Sequence, residues 1–266
     1  MKQSLGAVCL LVLAVLAGCG GLVGDTPARS PSLTPAPVPT TDQPFPPGVS
    51  EAGVSPAALA TAHRNRLLST NYTMVVRQRV VDANGTIMRS TRRHRVSVGG
   101  QPYYGRHNLT LYRFGTRRPV DRLTYWSGAD GFATRFSGGS GEPVLYWSTD
   151  GNRSIDVDGS AGLTDPLETM SFAVADRREA EVVLVGSASG DSQRLPGPSY
   201  VGDRHNASAT LVVDIDGLVT DWRVAYDARF DERPVRVVHT VRVTDLGTTT
   251  VQRPDWVDAA SELASR

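Results

Sequence analysis

Nothing constrains the fold of this chain more than a two-residue alternation that begins at Tyr72 and returns in its last long segment. Tyr72, Met74, Val76 and Val80 alternate with Thr73, Val75, Arg77 and Arg79; Val235, Val237, His239, Val241 and Val243 alternate with Arg236, Thr240 and Arg242. Successive side chains on a strand point to opposite faces, so each run describes a strand with one buried and one wetted face. Ala83-Asn84-Gly85 turns the first run into an Arg-rich partner at 86–98, and Gly99-Gly100 turns again into 103–114. Shorter strands are expected near 123–126, 131–136 and 144–147, then near 180–185, 209–215 and 218–228, with Asp216-Gly217 closing a tight hairpin.

Two helices interrupt this series. Ser55-Pro56 reads as N-cap and first helical residue, with Leu59, Ala62, His63 and Leu67 at helical spacing and an end near Ser69. Asp165-Pro166-Leu167-Glu168 has the form of a capping box and opens the second, whose apolar side is Leu167, Met170, Phe172 and Val174. The order helix, strands, helix, strands predicts an α+β fold: a single strongly curved antiparallel sheet, a half-barrel, packed on about two helices.

The N-terminus predicts a location. Lys2 precedes an apolar run from Leu5 to Ala17, roughly 13 residues, too short to cross ~30 Å of hydrocarbon but suited to a secretory signal. Leu16-Ala17-Gly18-Cys19 ends it as a lipobox, so residues 1–18 are expected to be a lipoprotein signal peptide, with Cys19 lipidated and holding the chain at the extracytoplasmic face of the cell membrane. Residues 19–53 carry Pro27, Pro31, Pro35, Pro37, Pro39, Pro44, Pro46 and Pro47 and no apolar period, which reads as a disordered tether. The domain is expected over 54–260. Cys9 and Cys19 are the chain's two cysteines, so the domain holds no disulfide and no Cys-based metal site or nucleophile.

Lys2 is the sole lysine, which excludes a P-loop or Schiff-base lysine from the domain. Charge is unevenly spread. From Ala62 to Phe136, 14 arginines face Asp82, Asp121 and Asp130, whereas from Ser137 to Arg266, 12 arginines face 21 acids. The basic half is either a face for anionic headgroups or an acidic surface layer, or one side of a sheet whose halves pair across strands.

Other chemistry-bearing patterns fail. His63, His94, His107, His205 and His239 form no helical zinc motif, and His239 alone sits on a strand's apolar face. Asp150-Gly151-Asn152-Arg153-Ser154 starts like a calcium loop, but Ile155 replaces the turn glycine and Ala161 the bidentate Glu. Asp156-Val157-Asp158-Gly159 and Asp214-Ile215-Asp216-Gly217 read as hairpin turns. Around Ser140, Glu142 stands where a nucleophile elbow needs glycine. No catalytic residue, metal or cofactor is assigned, and the chain is expected not to be an enzyme. Five sequons, at Asn71, Asn84, Asn108, Asn152 and Asn206, are expected glycosylation acceptors of an exported chain.

Pro47-Gly48-Val49, Gly53-Val54, Leu59-Ala60-Thr61-Ala62-His63, Leu67 and Asn71-Tyr72-Thr73 resemble the opening of a haloarchaeal surface lipoprotein family with no assigned activity. This chain departs from it in its near-neutral charge and in having no Arg-Arg pair before the apolar run. The element order, with the Asp216-Gly217 hairpin before the last long strands and Pro254-Asp255-Trp256 closing the domain, is similar to the LolA-like carriers of bacterial lipoprotein and lipid trafficking. That resemblance implies a half-barrel holding acyl chains in its concavity. Tyr72, Met74, Val76, Leu211, Val213, Leu218, Trp222, Val224, Val237 and Val241 would then line an apolar cavity; the alternative is that they form a filled core.

The expected role is a membrane-anchored lipoprotein binding or carrying a lipid or other apolar ligand. The alternative is a non-enzymatic surface module contacting envelope or surface-layer protein. No nucleic-acid partner is expected.

Overall fold

The computed structural model describes residues 44–113, 116–138, 141–149, 159–190 and 192–265. The signal segment, Cys19 and Asn152 lie outside the described residues. The described structure starts at Pro44, inside the stretch read as tether, where β1 (Val49–Ser50) pairs with β2 (Gly53–Val54). Then come α1 (Pro56–Leu68), β3 (Tyr72–Asp82), β4 (Gly85–Val96), β5 (Tyr103–Arg113), β6 (Thr116–Gly128), β7 (Gly131–Ser137) and β8 (Val144–Ser148). The second half holds α2 (Ser160–Thr169), β9 (Ser171–Arg177), β10 (Glu181–Ala188), β11 (Gly202–Asp214), β12 (Val219–Phe230), β13 (Arg233–Thr244) and α3 (Trp256–Ala264).

An 11-stranded sheet runs in the order β8-β7-β6-β5-β4-β3-β13-β12-β11-β10-β9. Each half of the chain builds one meandering wing, and the wings join where β13 pairs antiparallel with β3. The α+β class and antiparallel pairing agree with the sequence reading; the half-barrel does not. The sheet is open, ending at β8 and β9, and is neither closed nor strongly curved. Bending a sheet sharply takes bulges; register shifts occur in the β9–β10, β11–β12, β3–β4 and β5–β6 pairings, whereas at the centre β12 pairs with β13 over ten consecutive residues and β13 with β3 over nine, all in register.

Helices also differ from expectation: three occur among the described residues. The second begins at Ser160, before the Asp165-Pro166 pair, and ends at Thr169, so Phe172 and Val174 belong to β9. Gly159, left-handed at φ 66°, lets α2 start against the sheet, where a Cβ would lie 3.0 Å from Trp222 and 3.2 Å from Met74. The first helix matches its expected span, from Ser55 to Ser69. Its His63 is fully buried, accepts the Val219 N–H at Nδ1 (3.1 Å) and meets Trp222 edge-on.

Tyr125 and Phe132 belong to the principal core, with residues of α1 and α2. Trp126 and Ala133, one residue along, form a second cluster with Val257 and Ala260 of α3. Adjacent strand residues face opposite ways, so α3 covers the far face of the sheet from α1 and α2. Arg253 fastens it, ion-paired to Asp130 (2.6 Å) and Asp258 (2.8 Å) and lying over the Trp126 ring at 4.5 Å.

Candidate functional site

Nine of the ten residues expected around an apolar cavity, namely Tyr72, Met74, Leu211, Val213, Leu218, Trp222, Val224, Val237 and Val241, are buried in the principal core cluster. Trp222, Met74 and Leu211 are among its largest fully buried members. Val76, the tenth, lines a cavity with a polar floor.

It holds about 390 Å³ on the helix-bearing face, bounded by β3, β4, β5, β13, α2 and the segment 196–200. This is within the size range of small-molecule sites. Cross-strand register builds its floor. Val76 stands opposite Arg92 and Val241, Arg92 opposite His107, and Gln78 opposite Ser90 and His239. Inward positions that are mostly apolar elsewhere on the sheet are here Gln78, Ser90, Arg92, His107 and His239. Val76, Met88, Leu109 and Tyr200 supply the apolar part of the lining.

The polar groups are unequally satisfied. Ser90 Oγ and His107 Nε2 are hydrogen-bonded at 2.8 Å. Beside the cavity, the Tyr125 hydroxyl and His94 Nε2 are bonded at 2.9 Å. His239 is 8% exposed, yet neither of its ring nitrogens has a partner. Arg92 pairs with no carboxylate among the described residues. Burial, reinforced by the Arg92 cation, lowers His239 and His107 from the usual 6.5 to about 4, and burial with Arg92 and His107 does the same to His94. At neutral pH the floor therefore presents one guanidinium among neutral imidazoles, an arrangement suited to an anionic group that accepts hydrogen bonds.

One wall depends on a buried cation of its own. Arg204, 8% exposed, donates to the backbone carbonyls of Gln193 (3.0 Å), Pro198 (3.0 Å), Val201 (3.2 Å) and Leu195. Tyr226 adds its hydroxyl to Pro196 O at 3.1 Å. The Gly197 backbone lies so close to that hydroxyl that any Cβ there would overlap it. Pinned this way, Pro196 to Tyr200 stand over the floor. On α2, Gly162 faces His239, and a Cβ would come within 3.5 Å of Nε2.

Sequence reasoning singled out His239 and missed Arg92, Ser90 and His107. His205 is exposed, with Nδ1 2.6 Å from Asp203 O. Among the sequons, Asn84 is exposed at the β3–β4 turn, Asn108 is exposed within β5, and Asn206 is exposed at a left-handed position (φ 51°). Asn71 is half-buried and donates to Thr249 O at 2.6 Å. Among the described residues no group of three His, Cys, Asp or Glu could hold a metal ion, and no helix is long and apolar enough to cross a membrane.

These features define an α+β protein with a broad open antiparallel sheet and a ligand-sized, cation-bearing pocket on its helix face. No protein-family model matches the chain, and no curated protein matches it. Among solved structures it is similar to a DUF1329 family protein from Desulfovibrio piger, at 8% identity and a TM-score of 0.29, over 77% of this chain and 97% of that one. It is also similar to a LolA superfamily protein from Nitrosomonas europaea, at 11% identity and a TM-score of 0.24, over the same shares. The likeness is a distant one of fold.

Proposed function

We propose that this chain is an extracytoplasmic binding lipoprotein, anchored through Cys19, that holds a small amphipathic anion in the pocket floored by Arg92 and His239. One observation carries the reading: an arginine without a carboxylate partner shares a cavity with a buried histidine whose two ring nitrogens are both unpartnered. Leaving a buried polar group unsatisfied costs about 1–3 kcal/mol. A bound anionic head would remove that penalty by accepting from the Arg92 guanidinium and a His239 N–H. Val76, Met88, Leu109 and Tyr200 would receive the apolar body.

Mass spectrometry of the processed protein, purified without detergent from its own host, tests both halves. Under denaturing conditions the chain should start at Cys19 and carry a covalent lipid mass. Under native conditions it should carry a further, dissociable adduct of one acidic amphiphile. An adduct-free domain after incubation with host lipid extract removes the binding role, and an unmodified Cys19 removes the anchor.

A further inference from the structure

On the face of the sheet turned away from the pocket, where α3 covers Trp126 and Ala133 at one side, the β3–β6 strands expose Arg77, Arg79, Arg89, Arg95, Arg106 and Arg122. Each alternates with inward residues: Arg77 and Arg79 flank Gln78, and Arg106 lies between Gly105 and His107. None of the six pairs with a carboxylate among the described residues. Of the acids whose side chains are described in this wing, Asp82 accepts the Asn84 N–H at 2.8 Å, Asp130 is bound by Arg253, and Glu142 is exposed between β7 and β8. Arg66 with Asp216, Arg93 with Asp245 at 3.9 Å, and Asp130 with Arg253 are ion pairs that reach from this half to the other.

The other wing shows the opposite pattern on strands of similar length. Arg242 stands opposite Asp221 and Arg236 opposite Asp227, both in contact at 2.7 Å. In the basic wing, Arg79 stands opposite Arg89 and Arg93 opposite Arg106. Like charges directly opposite each other oppose folding. Among the described residues, the acidic wing thus leaves the six outward arginines unpaired.

We infer that this outward arginine face docks on an anionic lipid bilayer. Strands lie about 4.8 Å apart and same-face residues about 6.8 Å apart, so the arginines form a two-dimensional array on a sheet that is not strongly curved. Such an array meets a plane of headgroup phosphates, each able to take a forked pair of guanidinium hydrogen bonds. The sequence leads to the same surface: Cys19 ends the lipobox, and the stretch from there to Pro44 can extend roughly 75 Å at ~3.1 Å per residue. The inference takes only its location from the anchored reading and is independent of the pocket.

The test is co-sedimentation of the full chain with vesicles of phosphatidylglycerol or phosphatidylcholine in 0.05 and 0.5 M NaCl. The apolar segment 5–17 is common to every arm. The unaltered chain should prefer phosphatidylglycerol in low salt and lose the preference in high salt, because screening shortens the Debye length. Replacing Arg79, Arg89, Arg106 and Arg122 with Gln should lower partitioning by about 600-fold, at about fivefold per arginine. That variant should unfold no earlier than the unaltered chain, since a like-charge contact is gone. Arg236→Gln with Arg242→Gln, which touches only arginines already paired, should have a far smaller effect. Equal binding to both lipids, salt-independent binding, or unchanged partitioning of the fourfold variant overturns the inference. Retention by a soluble acidic polymer without binding to phosphatidylglycerol vesicles also overturns it.

Discussion

Arg92 stands opposite Val76 on one neighbouring strand and His107 on the other, so a guanidinium takes an inward position of a kind that apolar side chains fill on the opposite wing. This placement was hidden in the sequence. Along 89–95 the residues are Arg, Ser, Thr, Arg, Arg, His and Arg, polar on both faces, and alternation cannot show which face a polar residue takes. His239 was legible because its strand alternates cleanly between valines and polar residues. At the same scale, Gly162 tests how the space over His239 is used. Gly162→Ala adds a methyl at an ordinary contact distance of 3.5 Å from Nε2 and removes a glycine from a helix interior. Stability should rise by about 0.5–1 kcal/mol while affinity for a pocket ligand falls. Thermal unfolding and titration of one sample check both directions, and equal affinity would separate the pocket from this part of α2.

Single elements show where local signals run out. The β3–β4 and β11–β12 turns were readable because Asn84-Gly85 and Asp216-Gly217 carry their own turn chemistry; Asp214 Oδ1 accepts from the N–H groups of Asp216 (3.0 Å) and Leu218 (2.8 Å). Phe172 and Val174 follow a helix at spacings compatible with either element, and the pairing of β9 with β10 decides for strand. The nine-residue terminal helix was legible, with Trp256, Val257, Ala260 and Leu263 at helical spacing after Pro254, but it was read only as the close of the domain. The segment 192–201 has no repeating pattern, and its shape comes from Arg204 and Tyr226 beneath it. Arg204→Met keeps bulk and deletes the donors to four carbonyls. It should lower stability by about 2–4 kcal/mol and raise amide exchange across 192–201 more than in β12 and β13. Uniform exchange would show that Arg204 does not organise this wall.

Across the whole molecule, two wings of one open sheet put a polar-floored pocket under α2 on one face and an unneutralised arginine array on the other. Class and antiparallel order followed from strand periodicity and turn residues. Curvature did not, because it depends on bulges and on how long register runs unbroken, and neither is written in the alternation. Global stability should depend on pH through the buried histidines. His94 and His239 titrate near 4 in the folded chain and near 6.5 when unfolded, so each contributes fully above about 6.5. That contribution falls away as pH drops towards 4, by about 3 kcal/mol for each ring. Thermal unfolding followed from pH 7.5 to 4 should show a steep loss below about 6; a flat profile would mean that these rings are not held neutral. An anion bound at the floor favours protonated imidazole, so its affinity should instead rise over the first part of that descent.

Binding at Arg92 is the most direct test. Isothermal titration of the full chain at pH 7 with sodium decanoate, and with 1-decanol as an uncharged isostere, should give saturable binding of the carboxylate and markedly weaker binding of the alcohol. Arg92→Gln, with its unfolding midpoint verified, should weaken decanoate binding about 10- to 100-fold, as for loss of a charged hydrogen bond. No binding of decanoate by the unaltered chain, equal affinity for acid and alcohol, or an Arg92→Gln variant that binds decanoate unchanged would contradict the pocket as an anion site.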